Sequence, residues 1–238
     1  MTDTVVFVHG LWLTGRESVL LKRRLAREFG FEVRTFRYPT VSASMAEITQ
    51  RLERFVHDIA PPLHWVGHSL GGLVIHRFLE AQPHGGAGRC GRVVLLGTPA
   101  LASRAALRAG RVRLLAALMG RCVAEELLIE RPRRWSSPCP LGIIAGSRSM
   151  GFGRWFARFA EDNDGTIAVS ETRLPGASEH LTLPVSHMGM LLSARVAQAT
   201  GHFLREGHFG AVRGAHALRG AHGPRGAQDS RSSSSRRR

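Results

Sequence analysis

The chain has 238 residues, 43% of them apolar, which is enough for one α/β domain with a sizeable core. Lysine and arginine outnumber aspartate and glutamate by 33 to 18, but no RNA-binding or helix-turn-helix signature accompanies the formal net charge of +15. No apolar run has the length of a membrane span, and no secretory leader precedes the first predicted strand. We therefore expect a cytoplasmic protein that does not bind nucleic acid.

Strands and helices alternate through the first half of the chain, which predicts right-handed crossovers and a parallel sheet. The predicted strands cover residues 4–8, 32–38, 63–66 and 92–96. The predicted helices cover residues 15–29, 45–59 (capped by Ser42 or Ser44) and 73–81. Two further strands at 141–146 and 180–185, and a closing helix up to about Phe203, give about six mostly parallel strands flanked by helices.

Residues 100–134 interrupt this alternation with a long, basic, helix-favouring insertion, in which leucines and valines are interleaved with arginines. One interpretation is a pair of amphipathic helices that pack on the domain and expose their arginines. The other is a lid over an apolar substrate site, or a contact with a membrane surface. The residues alone leave both interpretations open.

Residues 207–238 form a glycine-, serine- and arginine-rich tail with seven arginines and one aspartate. This composition cannot bury enough apolar surface to offset the entropy of ordering the chain, so we predict a disordered basic tail. The three cysteines, Cys90, Cys122 and Cys139, are odd in number and widely spaced. We interpret them as three free thiols that form neither a disulfide framework nor a metal site.

The sequence Gly-His-Ser-Leu-Gly-Gly at 67–72 joins a short apolar strand to an apolar helix. Glycines on either side of Ser69 allow a sharp turn that exposes the serine hydroxyl as a nucleophile. The first amide of the following helix, that of Leu70, points at the same place and can stabilise a developing negative charge. The loop after the first strand, with Gly10, predicts Leu11 as the second such donor.

A serine nucleophile needs a base, and the base needs an orienting carboxylate. Among the 12 histidines, His187 alone combines a position after a strand with a tight context of small residues. Asp164, followed by Gly165, is the stronger candidate for the acid, and Asp162 is the second candidate. The order Ser, Asp, His is that of hydrolases with a nucleophile elbow.

The sequence resembles the α/β-hydrolase superfamily, and within it the small bacterial lipases and esterases and the hydrolases similar to GPI-inositol deacylases. The matching motifs are Val-Val-Phe-Val-His-Gly-Leu at 5–11, Gly-His-Ser-Leu-Gly-Gly at 67–72, Gly-Thr-Pro at 97–99, Asn-Asp-Gly at 163–165 and Ser-His-Met-Gly-Met-Leu at 186–191. The resemblance spans residues 4 to about 204. It implies a minimal α/β-hydrolase fold without the first two strands of the family, and it favours a lid at 100–134.

We therefore predict one hydrolase domain, residues 1–206, that cleaves small-molecule or lipid carboxylic esters through Ser69, His187 and Asp164, with no metal or organic cofactor. An acyltransferase or thioesterase with the same triad is the nearest alternative. A catalytically inactive hydrolase fold that binds nucleic acid or a membrane is a second alternative. The sequence leaves open the acyl chain length, the oligomeric state, and a transient membrane contact through residues 100–134 or the tail.

Overall fold

The computed structural model describes residues 2–82, 90–100, 121–123, 125–126, 133–150, 161–211 and 216–219. The described strands form one twisted sheet in the order β2-β1-β3-β4-β5-β6-β7. The strands are β1 (Thr4–Val8), β2 (Glu32–Phe36), β3 (Leu63–His68), β4 (Cys90–Leu96), β5 (Leu141–Gly146), β6 (Glu179–Leu183) and β7 (His216–Arg219). The first six are parallel and β7 is antiparallel to β6, which confirms the predicted fold class.

In the described part of the chain, the strands are connected or followed by the helices α1 (Val19–Phe29), α2 (Met45–Val56), α3 (Leu70–Ala81) and α4 (Ala194–Glu206). Ser44, one of the two predicted caps, begins α2 in a capping box, in which its side chain accepts from the amide of Glu47 and the Glu47 carboxylate accepts from the amide of Ser44. Helix α3 begins three residues earlier than predicted, directly after Ser69. None of the helices in the described part of the chain could span a membrane.

Alternating side chains of the buried strand β1 pack into two separate cores. Val6 and Val8 face α2 and α3, whereas Val5 and Phe7 face α1 and α4. A strand buried on both faces has a continuous apolar sequence, because neither face reaches water. This three-layer arrangement fixes the carboxyl ends of β1, β3, β4, β5 and β6 along one edge of the sheet, where the predicted site residues follow.

The described part of the 100–134 insertion is anchored at its base. Residues 121–123 and 125–126 are helical, and the Glu125 carboxylate accepts a hydrogen bond from the amide of Met45 at the start of α2 (2.9 Å). The buried Arg133 guanidinium donates to the carbonyl of Ala100 (3.1 Å) and to the carboxylate of Glu126 (3.0 Å). The two ends of the insertion are therefore held together. The remainder of the predicted lid lies outside the described residues. So do residues 85–88, where the glycine-rich sequence predicts a loop, and residues 151–156, where glycines and aromatic residues predict a loop or a short helix.

The prediction of three free thiols was wrong. Cys90 at the start of β4 and Cys139 just before β5 form a disulfide, and Cys122 is a buried free thiol. The two sulfurs meet because β4 and β5 are neighbours in the sheet, although the cysteines are 49 residues apart in sequence. Oxidising compartments favour disulfides, so the cytoplasmic location stays a prediction.

The predicted start of the disordered tail at residue 207 was also wrong. Phe209 is buried against Phe203 of α4, with ring centroids 4.9 Å apart, and its amide donates to the Glu179 carboxylate (2.8 Å). Further on, β7 pairs with the free edge of β6. An edge strand offers unpaired backbone donors and acceptors to a segment of any composition. The folded part therefore continues beyond the predicted domain boundary, and residues 220–238 lie outside the described part.

Candidate active site

Ser69 occupies a strained turn between β3 and α3. Its φ of 54° and ψ of −122° lie outside the regions that a residue with a side chain normally adopts. Its amide donates to the carbonyl of Leu96 at the end of β4 (2.9 Å), and its carbonyl accepts from the amide of Gly72 (3.0 Å). The backbone is thus held in the strained conformation from both sides, as expected for a nucleophile elbow.

Gly71 explains why the elbow cannot carry a side chain on its inner face. A Cβ atom at this position would lie 2.1 Å from the carbonyl oxygen of Val8 and 2.6 Å from that of His9. The first turn of α3 therefore touches the end of β1. This contact brings the start of the helix beside the loop that is predicted to supply the second oxyanion donor.

His187 and Asp164 form a close, mostly buried pair. The Nδ1–H of His187 donates to Oδ2 of Asp164 (2.7 Å), and the backbone amide of His187 donates to the backbone carbonyl of Asp164 (2.8 Å). The other carboxylate oxygen of Asp164 accepts from the amides of Thr166 (2.8 Å) and Ile167 (2.7 Å). Asp162 is exposed, so the structure joins Asp164 and not Asp162 to His187.

Two glycines lie close to the candidate site residues. A Cβ atom on Gly97, the residue after β4, would lie 3.0 Å from both Asp164 Oδ2 and His187 Nδ1. A Cβ atom on Gly10 would lie 3.1 Å from the Cβ of Ser69. Within the described residues, Ser69 Oγ and His187 Nε2 form no hydrogen bond with each other; catalytic hydrogen bonds are often long before substrate binds and tighten in the complex.

The two predicted oxyanion donors lie in neighbouring segments, because Gly10 and Gly71 bring the loop after β1 and the start of α3 into contact. Leu70 is the buried first residue of α3, and Leu11 follows Gly10 in the loop after β1. Neither backbone amide donates a hydrogen bond to any described residue. An unpaired amide at a helix start or in a tight loop is suited to binding a negatively charged oxygen.

Tyr38, the single tyrosine, supports the Gly10 loop, and sequence reasoning did not identify it. Its hydroxyl donates to the carbonyl of His9 (2.7 Å), and the two rings stack with centroids 4.5 Å apart. The Nδ1–H of His9 donates to the carbonyl of Gly10 (3.0 Å), while burial lowers the pKa of His9. Tyr38 follows β2 and therefore lies at the same edge of the sheet as Gly10, and this position is the sequence signal that could have indicated its role.

His68 is the second residue with a role that sequence reasoning missed. Its ring is fully buried between the elbow and the His187 loop, and burial lowers its pKa to about 3. The motif at 67–72 places it next to Ser69 but does not assign a role to its ring. Among the described residues, no group of three or more His, Cys, Asp or Glu side chains is arranged to hold a metal ion.

Comparisons with known proteins identify the architecture. Solved structures with a similar fold include phospholipase PlaB from Legionella pneumophila (TM-score 0.62, 16% identity, 89% of this chain and 60% of that chain). A metagenomic carboxyl esterase (TM-score 0.54, 20% identity, 78% and 64%) and the RedJ thioesterase of prodiginine biosynthesis in Streptomyces coelicolor (TM-score 0.56, 14% identity, 85% and 84%) are also similar.

These identities show a shared fold and no more, and the chain spans less than two thirds of the phospholipase and of the esterase. No curated protein matches the sequence significantly. The sequence profile of the alpha/beta hydrolase family, in contrast, matches residues 5–222, which include every candidate site residue named above. The chain belongs to the alpha/beta hydrolase family.

Proposed function

We propose that this chain is a serine hydrolase that cleaves carboxylic esters, with Ser69 as nucleophile, His187 as base and Asp164 as the orienting acid. The observation that carries the proposal is the buried Asp164–His187 hydrogen bond of 2.7 Å beside a serine with a φ of 54°. A histidine held at Nδ1 by a carboxylate presents Nε2 as a base, and a strained elbow exposes the hydroxyl that it would deprotonate.

In the proposed reaction, Ser69 Oγ attacks the ester carbonyl carbon while its proton passes to His187 Nε2. The carbonyl oxygen becomes an oxyanion that accepts hydrogen bonds from the Leu11 and Leu70 amides. The ester C–O bond then breaks, and His187 gives its proton to the departing alcohol oxygen. A water molecule repeats the sequence on the acyl-enzyme and releases the carboxylic acid.

The contacts of Asp164 support its proposed role. Three hydrogen bonds reach its side chain, one from His187 and two from the amides of Thr166 and Ile167. Hydrogen bonds from backbone amides stabilise the ionised form of a carboxylate and fix its direction. Asp164, held in place by these hydrogen bonds, would orient His187 and stabilise the imidazolium that forms when His187 takes the serine proton.

We further propose that the substrate is a small-molecule or lipid ester and that the insertion acts as a lid. The described ends of the insertion support this proposal, because the guanidinium of Arg133 donates to the carbonyl of Ala100 and so holds the two ends together. Measuring hydrolysis of tributyrin across its solubility limit tests this idea, since a lid predicts a sharp rise when an interface forms.

The primary experiment compares wild-type protein with Ser69→Ala on p-nitrophenyl butyrate and on butyryl-coenzyme A. We expect kcat to fall on the order of 10⁶-fold in the variant, as for the loss of a nucleophile that acts as part of a triad. A higher kcat/KM for the thioester than for the ester would favour the thioesterase alternative. Equal ester hydrolysis by wild type and variant would refute the proposed role of Ser69.

A further inference from the structure

We propose that His68 is a positioning residue that sets the distance between the His187 loop, the Ser69 elbow and the Gly10 loop. The inference rests on the proposed function, because it concerns how the base is held relative to the nucleophile. His68 is the last residue of β3 and immediately precedes Ser69, so the position of its ring affects the backbone next to the elbow.

On one side, His68 contacts the loop that carries the base. Its Nε2–H donates to the backbone carbonyl of His187 at 3.1 Å, across 119 positions of sequence. The rings of His68 and His187 lie 4.7 Å apart at an angle of 45°. Together with the two hydrogen bonds from His187 to Asp164, this contact fixes the base through its amide, its carbonyl and its ring nitrogen.

On the other side, His68 contacts the loop that carries the proposed oxyanion donor. A Cβ atom on Gly10 would lie 3.2 Å from His68 Nδ1 and 3.3 Å from the His68 carbonyl oxygen. Nδ1 is buried and has no hydrogen-bond partner among the described residues. The ring therefore fills the space between the Gly10 and His187 loops, and within the described part of the chain it is held by the hydrogen bond to His187.

The hydrogen bond also defines the state of the ring. A carbonyl oxygen only accepts, so Nε2 carries the proton and Nδ1 the lone pair of a neutral imidazole. The titratable groups that face His68 are His187, Asp164 and His9, and burial keeps the ring neutral at physiological pH because it lowers the pKa. A neutral neighbour matters because a second positive charge would oppose the imidazolium that forms on His187 during the reaction.

Packing alone would make a different prediction from positioning. If His68 only fills space, an apolar side chain of similar size serves as well, and loss of the ring affects stability but not kcat. If His68 positions the base, the donor at Nε2 is what matters. A glutamine at this position extends its amide nitrogen about as far as Nε2, so it can replace the donor but not the ring.

The experiment compares His68→Gln and His68→Leu with wild type by kcat, KM and the pH profile of kcat/KM for p-nitrophenyl butyrate. We expect His68→Leu to lower kcat by about 10- to 100-fold with little change in KM, as removal of an orienting partner does elsewhere. We also expect the limb of the pH profile of kcat/KM that reports protonation of the base to shift along the pH axis. His68→Gln should recover most of kcat. Equal kcat for folded His68→Leu and wild type would overturn the proposal.

His64→Leu is the matched control. His64 is a buried histidine in the same strand, and its Nδ1 accepts from the amide of Arg92, but it lies four residues before His68 and away from the elbow. We expect His64→Leu to reduce stability and leave kcat unchanged. A loss of kcat equal to that of His68→Leu would show a general effect of strand β3 and would overturn positioning by His68.

A second measurement applies even if the His68→Leu variant does not fold. Nitrogen-15 NMR of histidine-labelled protein should show a neutral ring, protonated at Nε2, that does not titrate between pH 5 and 8 and that is absent from His68→Gln. His64 and His180 also stay neutral in this range, so the comparison with His68→Gln assigns the signal to His68. A His68 ring that is protonated at Nδ1, or that titrates in this range, would overturn the proposal. This readout does not depend on ester hydrolysis, so it separates failure of this inference from failure of the proposed function.

Discussion

His187 and Asp164 are joined twice, once through their side chains and once through their backbones. The Nδ1–Oδ2 distance is 2.7 Å, and the His187 amide lies 2.8 Å from the Asp164 carbonyl oxygen. The backbone hydrogen bond holds the two loops together, and the side-chain hydrogen bond holds the ring against the carboxylate. The side-chain hydrogen bond fixes both the tautomer and the orientation of the imidazole.

Replacement of Asp164 by asparagine tests this connection. The asparagine oxygen can keep the amide donors of Thr166 and Ile167, but its amide nitrogen faces Nδ1 and favours the wrong tautomer of His187. We expect kcat for p-nitrophenyl butyrate to fall about 10⁴-fold, as this change does in other triads. The exposed Asp162 provides the control, since Asp162→Asn should stay within about twofold of wild type. Similar losses in both variants would contradict the assignment of the acid.

Gly71→Ala should be far more damaging than Gly30→Ala. Gly30 ends α1 with a φ of 68°, where alanine costs about 1 kcal/mol, and a Cβ atom there would meet Arg205 Nη2 at 3.7 Å, an ordinary van der Waals contact. A Cβ atom on Gly71 would lie 2.1 Å from the Val8 carbonyl oxygen, so α3 has to move away from β1, at a cost of about 3 kcal/mol or more. Urea denaturation of both variants measures this difference. A Gly71→Ala variant as stable as Gly30→Ala would refute the close contact.

Much of the sheet was predictable because buried parallel strands have continuous apolar runs and each is bounded by turn residues. The sharp turn at Ser69 was predictable as well, because glycines close to a serine between a strand and a helix indicate a tight connection. The candidates for the acid and the base were few because only some aspartates and histidines follow predicted strands. The structure joins Asp164 to His187, as the order of the motifs suggested.

Contacts between distant residues were not predictable from local pattern. Cys90 and Cys139 meet only because β4 pairs with β5, and no spacing rule predicts that register. His68 reaches the carbonyl of His187 only once two loops have been placed side by side. Phe209 stands in a glycine-rich stretch, and its burial depends on contacts with Phe203 of α4 and Gly142 of β5, which the local pattern does not predict.

The disulfide predicts a specific thiol count and a loss of stability on its removal. Unfolded, unreduced protein should react with one equivalent of a thiol reagent, through Cys122, whose pKa burial raises to about 12 in the folded state. Reduction should expose three equivalents. Because the bridge closes a loop of 49 residues, Cys90→Ala/Cys139→Ala should lower the free energy of unfolding by about 4 kcal/mol. Three reactive thiols before reduction would contradict the bridge.

Buried neutral histidines predict that stability falls in mild acid. Burial lowers the pKa of His64 and of His180 to about 4, whereas an unfolded histidine has a pKa of 6.5. Below pH 6.5 the unfolded chain binds protons that the native state refuses until about pH 4, so the free energy of unfolding decreases as pH falls through this window. Each histidine contributes a slope of about 1.4 kcal/mol per pH unit there.

Replacing one buried histidine tests the sign and the size of this dependence of the free energy of unfolding on pH. Urea denaturation between pH 6 and 4.5 should give a slope that is smaller by about 1.4 kcal/mol per pH unit in His64→Leu than in wild type. The ring of His57 is 79% exposed, so His57→Leu is the matched control for replacement of a histidine by leucine at the surface. An unchanged slope in His64→Leu would show that this histidine is protonated equally in both states.

Covalent labelling of wild-type protein with a fluorophosphonate probe tests the proposed triad most directly. The probe forms a stable bond only with a serine whose proton a neighbouring base removes. We predict that peptide mapping by mass spectrometry finds the label on Ser69 and that Ser69→Ala is not labelled. The His187→Ala variant should react with the probe about 100-fold more slowly than wild type, or more slowly still. A label on another serine, or equal labelling rates in wild type and His187→Ala, would contradict the assignment of Ser69 and His187.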